Sequence, residues 1–193
     1  MKDGKLEFVT VCGSIRQRSY NAALMRSLPN YSPGGIAFID APLIVNIPHY
    51  DADLQQASGP PAAVATMAAA IRDADALLIV SPEYNYSIPG PLKNAIDWLS
   101  RLPNQPFAGK PVLIQSASGG VLGGARMQYH LRQVLVSLDA LVFTRPEVMV
   151  GMAASKFDED LNLIDEATQN LIRTQLTAFV AYVKAHNHNM NVR

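Results

Sequence analysis

The chain has one cysteine in 193 residues, which excludes an intrachain disulfide. That residue, Cys12, sits inside a short apolar run and reads as a small core side chain. No charge of one sign predominates: Lys plus Arg and Asp plus Glu are 16 each, and neither forms a long run. That balance excludes nucleic acid or an anionic membrane surface as the main partner. No stretch reaches the roughly 18 consecutive apolar residues of a membrane helix. The first apolar run, Leu6 to Cys12, is broken by Glu7 and Thr10 and opens straight into a polar loop, unlike a secretory leader. A cytoplasmic location is expected. His49, His130, His186 and His188 show no ligand spacing with carboxylates or the cysteine, so no metal is expected. Three catalytic or nucleotide signatures are also missing. There is no G-x-G-x-x-G after the first strand, no G-x-x-x-x-G-K-[ST], and no G-x-S-x-G elbow.

What is present is a globular composition, 49% hydrophobic and 17% charged, long enough for one domain spanning 1–193. The tail from about 186 to 193 is expected to fray. Short apolar runs alternate with helical periodicity five times. Strands are expected at Leu6–Cys12, Gly35–Asp40, Ala76–Ser81, Val112–Ser116 and Ala140–Phe143, the last resuming at Glu147–Val150. Helices are expected at about 21–28, 62–75, 89–101, 125–138 and 164–184. The continuous apolar run Ala76-Leu77-Leu78-Ile79-Val80 marks a strand covered on both faces, as in a parallel sheet. The pattern predicts a doubly wound α/β sandwich with a five-stranded parallel sheet in the order 2-1-3-4-5. Residues 42–61, carrying Pro42, Pro48, Gly59, Pro60 and Pro61, read as a long connection that is functional or packs in an interface. The apolar stripe of the 89–101 helix, with Trp98, is expected to help build a subunit contact.

Ligands of such sheets bind beyond the carboxyl ends of the strands. Three loops there carry the chemistry. The first, Gly13 to Tyr20, ends a strand and opens a helix, presenting free N–H groups and a positive dipole end that attract phosphate. Ser14, Ser19, Asn21 and Arg16 add hydroxyl, amide and guanidinium donors. A phosphate held by hydroxyls and one arginine suggests flavin mononucleotide (FMN). The same residues also suit an ordinary helix N-cap, with Ser19 capping and Arg16 solvated. The second loop, Ser81 to Pro91, offers Tyr84 and Tyr86 as flat surface, Asn85 as an edge donor, and three prolines as stiffeners. Its one carboxylate, Glu83, suits a general acid or base, a brace of the loop, or a pair across a subunit contact. The third loop, Ser116 to Gly124, has four glycines where a backbone must approach something closely.

Taken together, Gly-Ser-x-Arg-x-x-Ser-x-Asn at 13–21, Pro-Glu-Tyr-Asn at 82–85, Ile-Pro-Gly-x-Leu-Lys-Asn-Ala-Ile-Asp-Trp at 88–98 and Ser-x-Ser-x-Gly at 116–120 resemble the NADPH-dependent FMN reductase family. Within it the chain is most similar to the bacterial chromate/quinone reductase branch. The resemblance runs from about residue 6 to 180 and implies a flavodoxin-like fold, non-covalent FMN, and a homodimer or homotetramer. It implies that Ser14, Arg16, Ser19 and Asn21 hold the FMN phosphate. Pro82, Glu83, Tyr84 and Asn85 would line the isoalloxazine and ribityl, and Ser116, Ser118 and Gly119 would border the ring from the other side. Arg126, Tyr129 and Glu147 would join subunits near the flavin.

The chemistry so implied needs no protein nucleophile, because the reacting atom is N5 of the flavin. NADPH or NADH would reduce the ring, and a quinone, chromate, free flavin or similar small oxidant would then take the two electrons, a ping-pong sequence. The alternative is a flavodoxin-type single-electron carrier, for which an acidic docking face is expected and a zero net charge is not. A second alternative is a non-catalytic module that keeps the fold without flavin.

Overall fold

The computed structural model describes residues 5–191. Its sheet is built from β1 (Leu6–Cys12), β2 (Ile36–Asp40), β3 (Ala76–Val80), β4 (Pro111–Ala117), β5 (Leu141–Val142) and β6 (Val148–Val150). The strand order is β2-β1-β3-β4-β5 and every pairing is parallel. This is the flavodoxin-like arrangement expected from the alternation of elements. The fifth position is shared: β5 pairs with Pro111 and Val112, and β6 with Gln115 to Ala117 of the same β4 edge. Between them the chain leaves the ladder at Pro146, which has no N–H to give. Two buried glutamines fill the gap, Gln115 Nε2 donating to Gln175 Oε1 at 2.8 Å and Gln175 Nε2 donating to Pro146 O at 2.7 Å.

The helices are α1 (Tyr20–Tyr31), α2 (Ala52–Ser58), α3 (Ala62–Asp73), α4 (Gly90–Ser100), α5 (Ala125–Val136) and α6 (Glu166–Asn191). Strand side chains alternate between two cores, as the period of two demands. Leu6 and Phe8 of β1 and Leu78 of β3 face one cluster, with Leu24 of α1 and Ile172 and Phe179 of α6. Val9, Val11 and Ile79 face the other, with Met67 of α3, Trp98 of α4 and Leu131 of α5. Each fully buried large apolar side chain contributes about 1.5–3 kcal/mol, so two dry layers fix the register of the sheet and the rim it presents.

Three differences from the sequence reading have local causes. The 42–61 connection is not structureless: a 3₁₀ turn at Ile44–Asn46 and helix α2 lie within it. Its apolar residues Ile44 and Ile47 are buried against the α3/α4 core. Trp98 does not lie on the surface either. Its side chain is fully buried, its Nε1 donates to Pro48 O at 2.8 Å, and the Tyr50 ring meets its edge at 5.1 Å. Finally, α6 starts at Glu166 and continues to Asn191, past Lys184 and through most of the tail expected to fray; residues 192–193 lie outside the described residues. Among the described residues no helix is long and apolar enough to cross a membrane.

The start of α6 gives a pH prediction. Asp165 lies just ahead of it, accepting from Lys156 Nζ at 2.6 Å and from the Thr168 hydroxyl and amide at 2.6 and 2.9 Å. The Lys156 bond first, then those from Thr168, hold the Asp165 carboxyl at about 2, below the ordinary 3.8. Because the folded value is the lower one, the stabilisation is complete above 3.8 and is lost as pH falls through about 2. Stability measured by denaturant against pH should therefore separate Asp165→Asn from the parent at neutral pH. The gap should close between about pH 4 and 2.

Candidate functional site

Parallel strands all point one way, so the loops that follow β1, β3 and β4 open on one rim. Their mutual fit is set first by Gly13. Its amide donates to Val80 O at 2.9 Å, and a Cβ there would lie 2.2 Å from Ser81 Oγ and 2.5 Å from Ser81 Cβ. Any other residue would push the β1 and β3 loops apart. Beyond Gly13 the chain turns outward. Ser14 is half-buried, Arg16 exposed, and Ser14 Oγ accepts from the Arg16 amide at 3.4 Å. Ser19 is buried as the N-cap of α1, accepting from the Ala22 amide at 3.3 Å. Among the described residues none accepts a hydrogen bond from the amides of Ile15, Gln17 or Arg18. This leaves a nest of open N–H groups at a helix start, the chemistry that takes a phosphate. Arg18 is used elsewhere, donating from Nη2 to Glu159 O at 2.7 Å.

Asn21, expected beside that phosphate, is only 3% exposed. Its Nδ2 donates to Ala117 O at 2.8 Å and its Oδ1 accepts from the Ala117 amide at 2.8 Å. It pairs with the last residue of β4 by a side chain, and so ties the start of α1 to the start of the third loop. Cys12, expected in the core, is half-buried with its Sγ 3.5 Å from Ser14 O, and burial pushes its thiol up. A hollow of about 340 Å³ lies beside it, bordered by Ser14, Ile15, Arg16, Met25, Asp40 and Leu43. A larger one, about 630 Å³, opens at the opposite end of the sheet among Asp75, Lys110 and Lys184, remote from the three loops.

The second loop is closed on itself. Tyr84 and Ser87 exchange both backbone hydrogen bonds at 3.0 Å, and the two residues between them have φ of 47° (Asn85) and 67° (Tyr86). Positive φ at both central positions is the signature of a type I′ turn, and it strains residues other than glycine. Helix α5 holds the turn. Glu83 Oε1 accepts from Arg126 Nε at 2.7 Å, and Glu83 Oε2 accepts from the amides of Arg126 and Met127 at 3.1 and 3.3 Å. The Arg126 guanidinium lies 3.5 Å from the centre of the Tyr86 ring, and His130 Nδ1 is 3.0 Å from Ser87 Oγ. Pro82 is buried at the base, while Tyr84 and Asn85 are exposed at the rim.

The third loop is narrow for the same reason as the first. Gly124 has φ 92° and Gly123 φ 59°, and a Cβ on Gly124 would meet Ser116 at 2.8 Å. Ser116 is fully buried, donating to Gly123 O at 2.6 Å and accepting from Gln128 Nε2 at 2.8 Å. It supports the loop from beneath and does not border the opening. Ser118, half-buried, accepts from the Gly120 amide at 3.1 Å, and Gly119 is exposed with open space where its side chain would be. Of the three residues expected at a subunit contact, Arg126 is on Glu83 as above. Exposed Tyr129 donates to Glu147 Oε2 at 3.5 Å, and Glu147 also meets Arg132 at 3.2 Å.

The structure therefore brings Ser14, Arg16, Ser19, Pro82, Glu83, Tyr84, Asn85, Ser118 and Gly119 to one rim, with Asn21 and Ser116 supporting it from inside. Sequence reasoning missed Gln128 and His130, which sit one turn apart or less on α5 among ordinary helical residues and carry no local signal. It took Gly13 only as the break between strand and loop, although Gly-Ser directly after an apolar strand is the trace such a close approach leaves.

Comparison with known proteins follows the same outline. A family model described as NADPH-dependent FMN reductase matches residues 6–155. The quinone reductase of Escherichia coli is 54% identical over 181 residues, covering 93% of this chain and 96% of that one. The NAD(P)H-dependent FMN reductase of Pseudomonas aeruginosa is 46% identical over 179 residues, with the same two coverages of 93% and 96%. Among solved structures, the flavoenzyme NAD(P)H:(acceptor) oxidoreductase FerB of Paracoccus denitrificans superposes with a TM-score of 0.84 at 32% identity, covering 94% of this chain and 98% of that one.

Proposed function

The chain belongs to the NADPH-dependent FMN reductase family, and from that premise we propose that it carries two electrons from NADPH or NADH to quinones, chromate, flavins or similar small oxidants by way of FMN. The observation that carries the reading is the convergence of three strand-end loops on one rim, one of them with unsatisfied amides beside an exposed arginine. FMN, when bound, supplies the redox chemistry; the protein binds, orients and shields. Ser14, Arg16, Ser19 and the open amides between them hold the phosphate, and Asn21 keeps the helix start in place. Pro82, Tyr84, Asn85 and the backbone of Glu83 flank the ring on one side, Ser118 and Gly119 on the other, with Ser116 bracing that second wall. Nicotinamide and oxidant use the same opening in turn, which predicts ping-pong kinetics. The enzyme works in the cytoplasm as a homodimer or homotetramer, with Arg126, Tyr129 and Glu147 presenting their exposed edges to a second copy.

Two measurements test this. Parallel double-reciprocal plots for NADPH against a quinone are expected, and intersecting ones would remove the ping-pong sequence. Replacing Arg16 by Ala should weaken FMN binding by about 1.5–3 kcal/mol, roughly 10- to 150-fold, the worth of a hydrogen bond to a charged group. Fluorescence titration of flavin-free protein reads this directly; an unchanged dissociation constant would take Arg16 off the phosphate.

A further inference from the structure

Helix α5 begins without a cap of its own. Its N-cap is Gly124, which has no side chain to offer and cannot take one, since a Cβ there would strike Ser116 at 2.8 Å. A local Ser, Asp or Asn is the ordinary way to satisfy the free amides of a helix start. Here the carboxylate of Glu83 does it from the β3 loop, 43 residues away in sequence, reaching the amides of Arg126 and Met127 and the Arg126 side chain together. The Glu83 side chain is 10% exposed. One negative charge thus faces both the positive end of α5 and a guanidinium, and offsets much of their combined positive charge where the rim of the site lies.

We propose that Glu83 is a positioning residue that locks the two ring-flanking loops into one body and sets the reduction potential of the bound flavin. The inference rests on the functional reading above. Mechanically, the β3 loop and the β4 loop cannot separate without uncapping α5 and releasing Arg126 from the Tyr86 ring, so the width of the slot between them is fixed. Electrostatically, two-electron reduction adds negative charge to the ring. An uncompensated helix end and guanidinium beside it would favour the reduced form, and Glu83 opposes that. Both oxygens of its carboxylate are turned onto α5 and engaged there.

The test uses Glu83→Gln, which keeps size and removes charge, Glu83→Asp, which keeps charge, and Glu83→Ala. For Glu83→Gln, reduced FMN should gain affinity over oxidised FMN by about tenfold, a rise of about 30 mV in the two-electron midpoint potential. Glu83→Asp should stay close to the parent. A Glu83→Gln potential equal to the parent's, or a Glu83→Asp potential that moves as far as Glu83→Gln's, overturns the electrostatic half. The lock is read without flavin, by hydrogen exchange of the Arg126 and Met127 amides. Exchange at least tenfold faster in Glu83→Ala supports it, and unchanged exchange overturns it. A parent protein that takes up no FMN defeats the functional reading instead, and leaves the exchange result to judge the lock by itself.

Discussion

Replacing Asn21 by Leu is expected to lower the stability of flavin-free protein by roughly 2–6 kcal/mol, from two buried backbone groups left without partners at about 1–3 kcal/mol each. Leu keeps the branch at Cγ but is larger than Asn, so no cavity contributes and any crowding adds to the loss. What is lost is the pair of 2.8 Å bonds by which the Asn21 carboxamide accepts from the Ala117 amide and donates to the Ala117 carbonyl. Ala117 is the last residue of β4 and is 1% exposed, so water does not replace those bonds. Urea unfolding of the flavin-free variant gives the number. FMN affinity should fall as well, because α1 and the third loop lose their tie. The order of effects is the point: a variant as stable as the parent but poor in FMN would make Asn21 a direct ligand, contrary to the geometry.

Trp98→Ala should cost about 3–5 kcal/mol, the usual range for removing a large aromatic from a packed core. The indole is fully buried between α4 and the 42–61 excursion, and its Nε1 is one of the few donors pinning that excursion, through Pro48 O. Asn94 supports the same segment, donating to Pro48 O at 2.9 Å and accepting from the Tyr50 amide at 2.8 Å. The variant should unfold at lower urea and be cut first by protease within residues 42–61, where the chain loses its anchor. Its assembly state by light scattering should match the parent's. Dissociation without loss of stability would return Trp98 to a subunit contact, which its burial opposes.

Much of this is legible in the sequence. The two-faced apolar run of β3 and the apolar periodicity of the helices depend only on neighbours a few residues apart. So does the placing of Ser14, Arg16 and the Pro-Glu-Tyr-Asn stretch directly after strands. What was misread, or left open as for Glu83, shares one property. The sequence alone suggests Asn21 as a phosphate ligand, Glu83 as acid–base, brace or subunit pair, Ser116 as a ring border, and Trp98 as an interface residue. Each carries a polar atom whose partner lies on another element. The separations are 96 residues for Asn21 and Ala117, 43 for Glu83 and Arg126, 12 for Ser116 and Gln128, and 50 for Trp98 and Pro48.

By itself the sequence determined the order of the strands and of the five longer helices and the parallel sheet, and so which strand ends share a rim, because hydrophobic period and strand direction are local properties that add up along a chain. Only the tertiary structure decided which polar groups at that rim remain open to a ligand and which are spent on the protein. A buried donor or acceptor must find a partner wherever packing brings one, and that partner is chosen by distance in space, not along the chain.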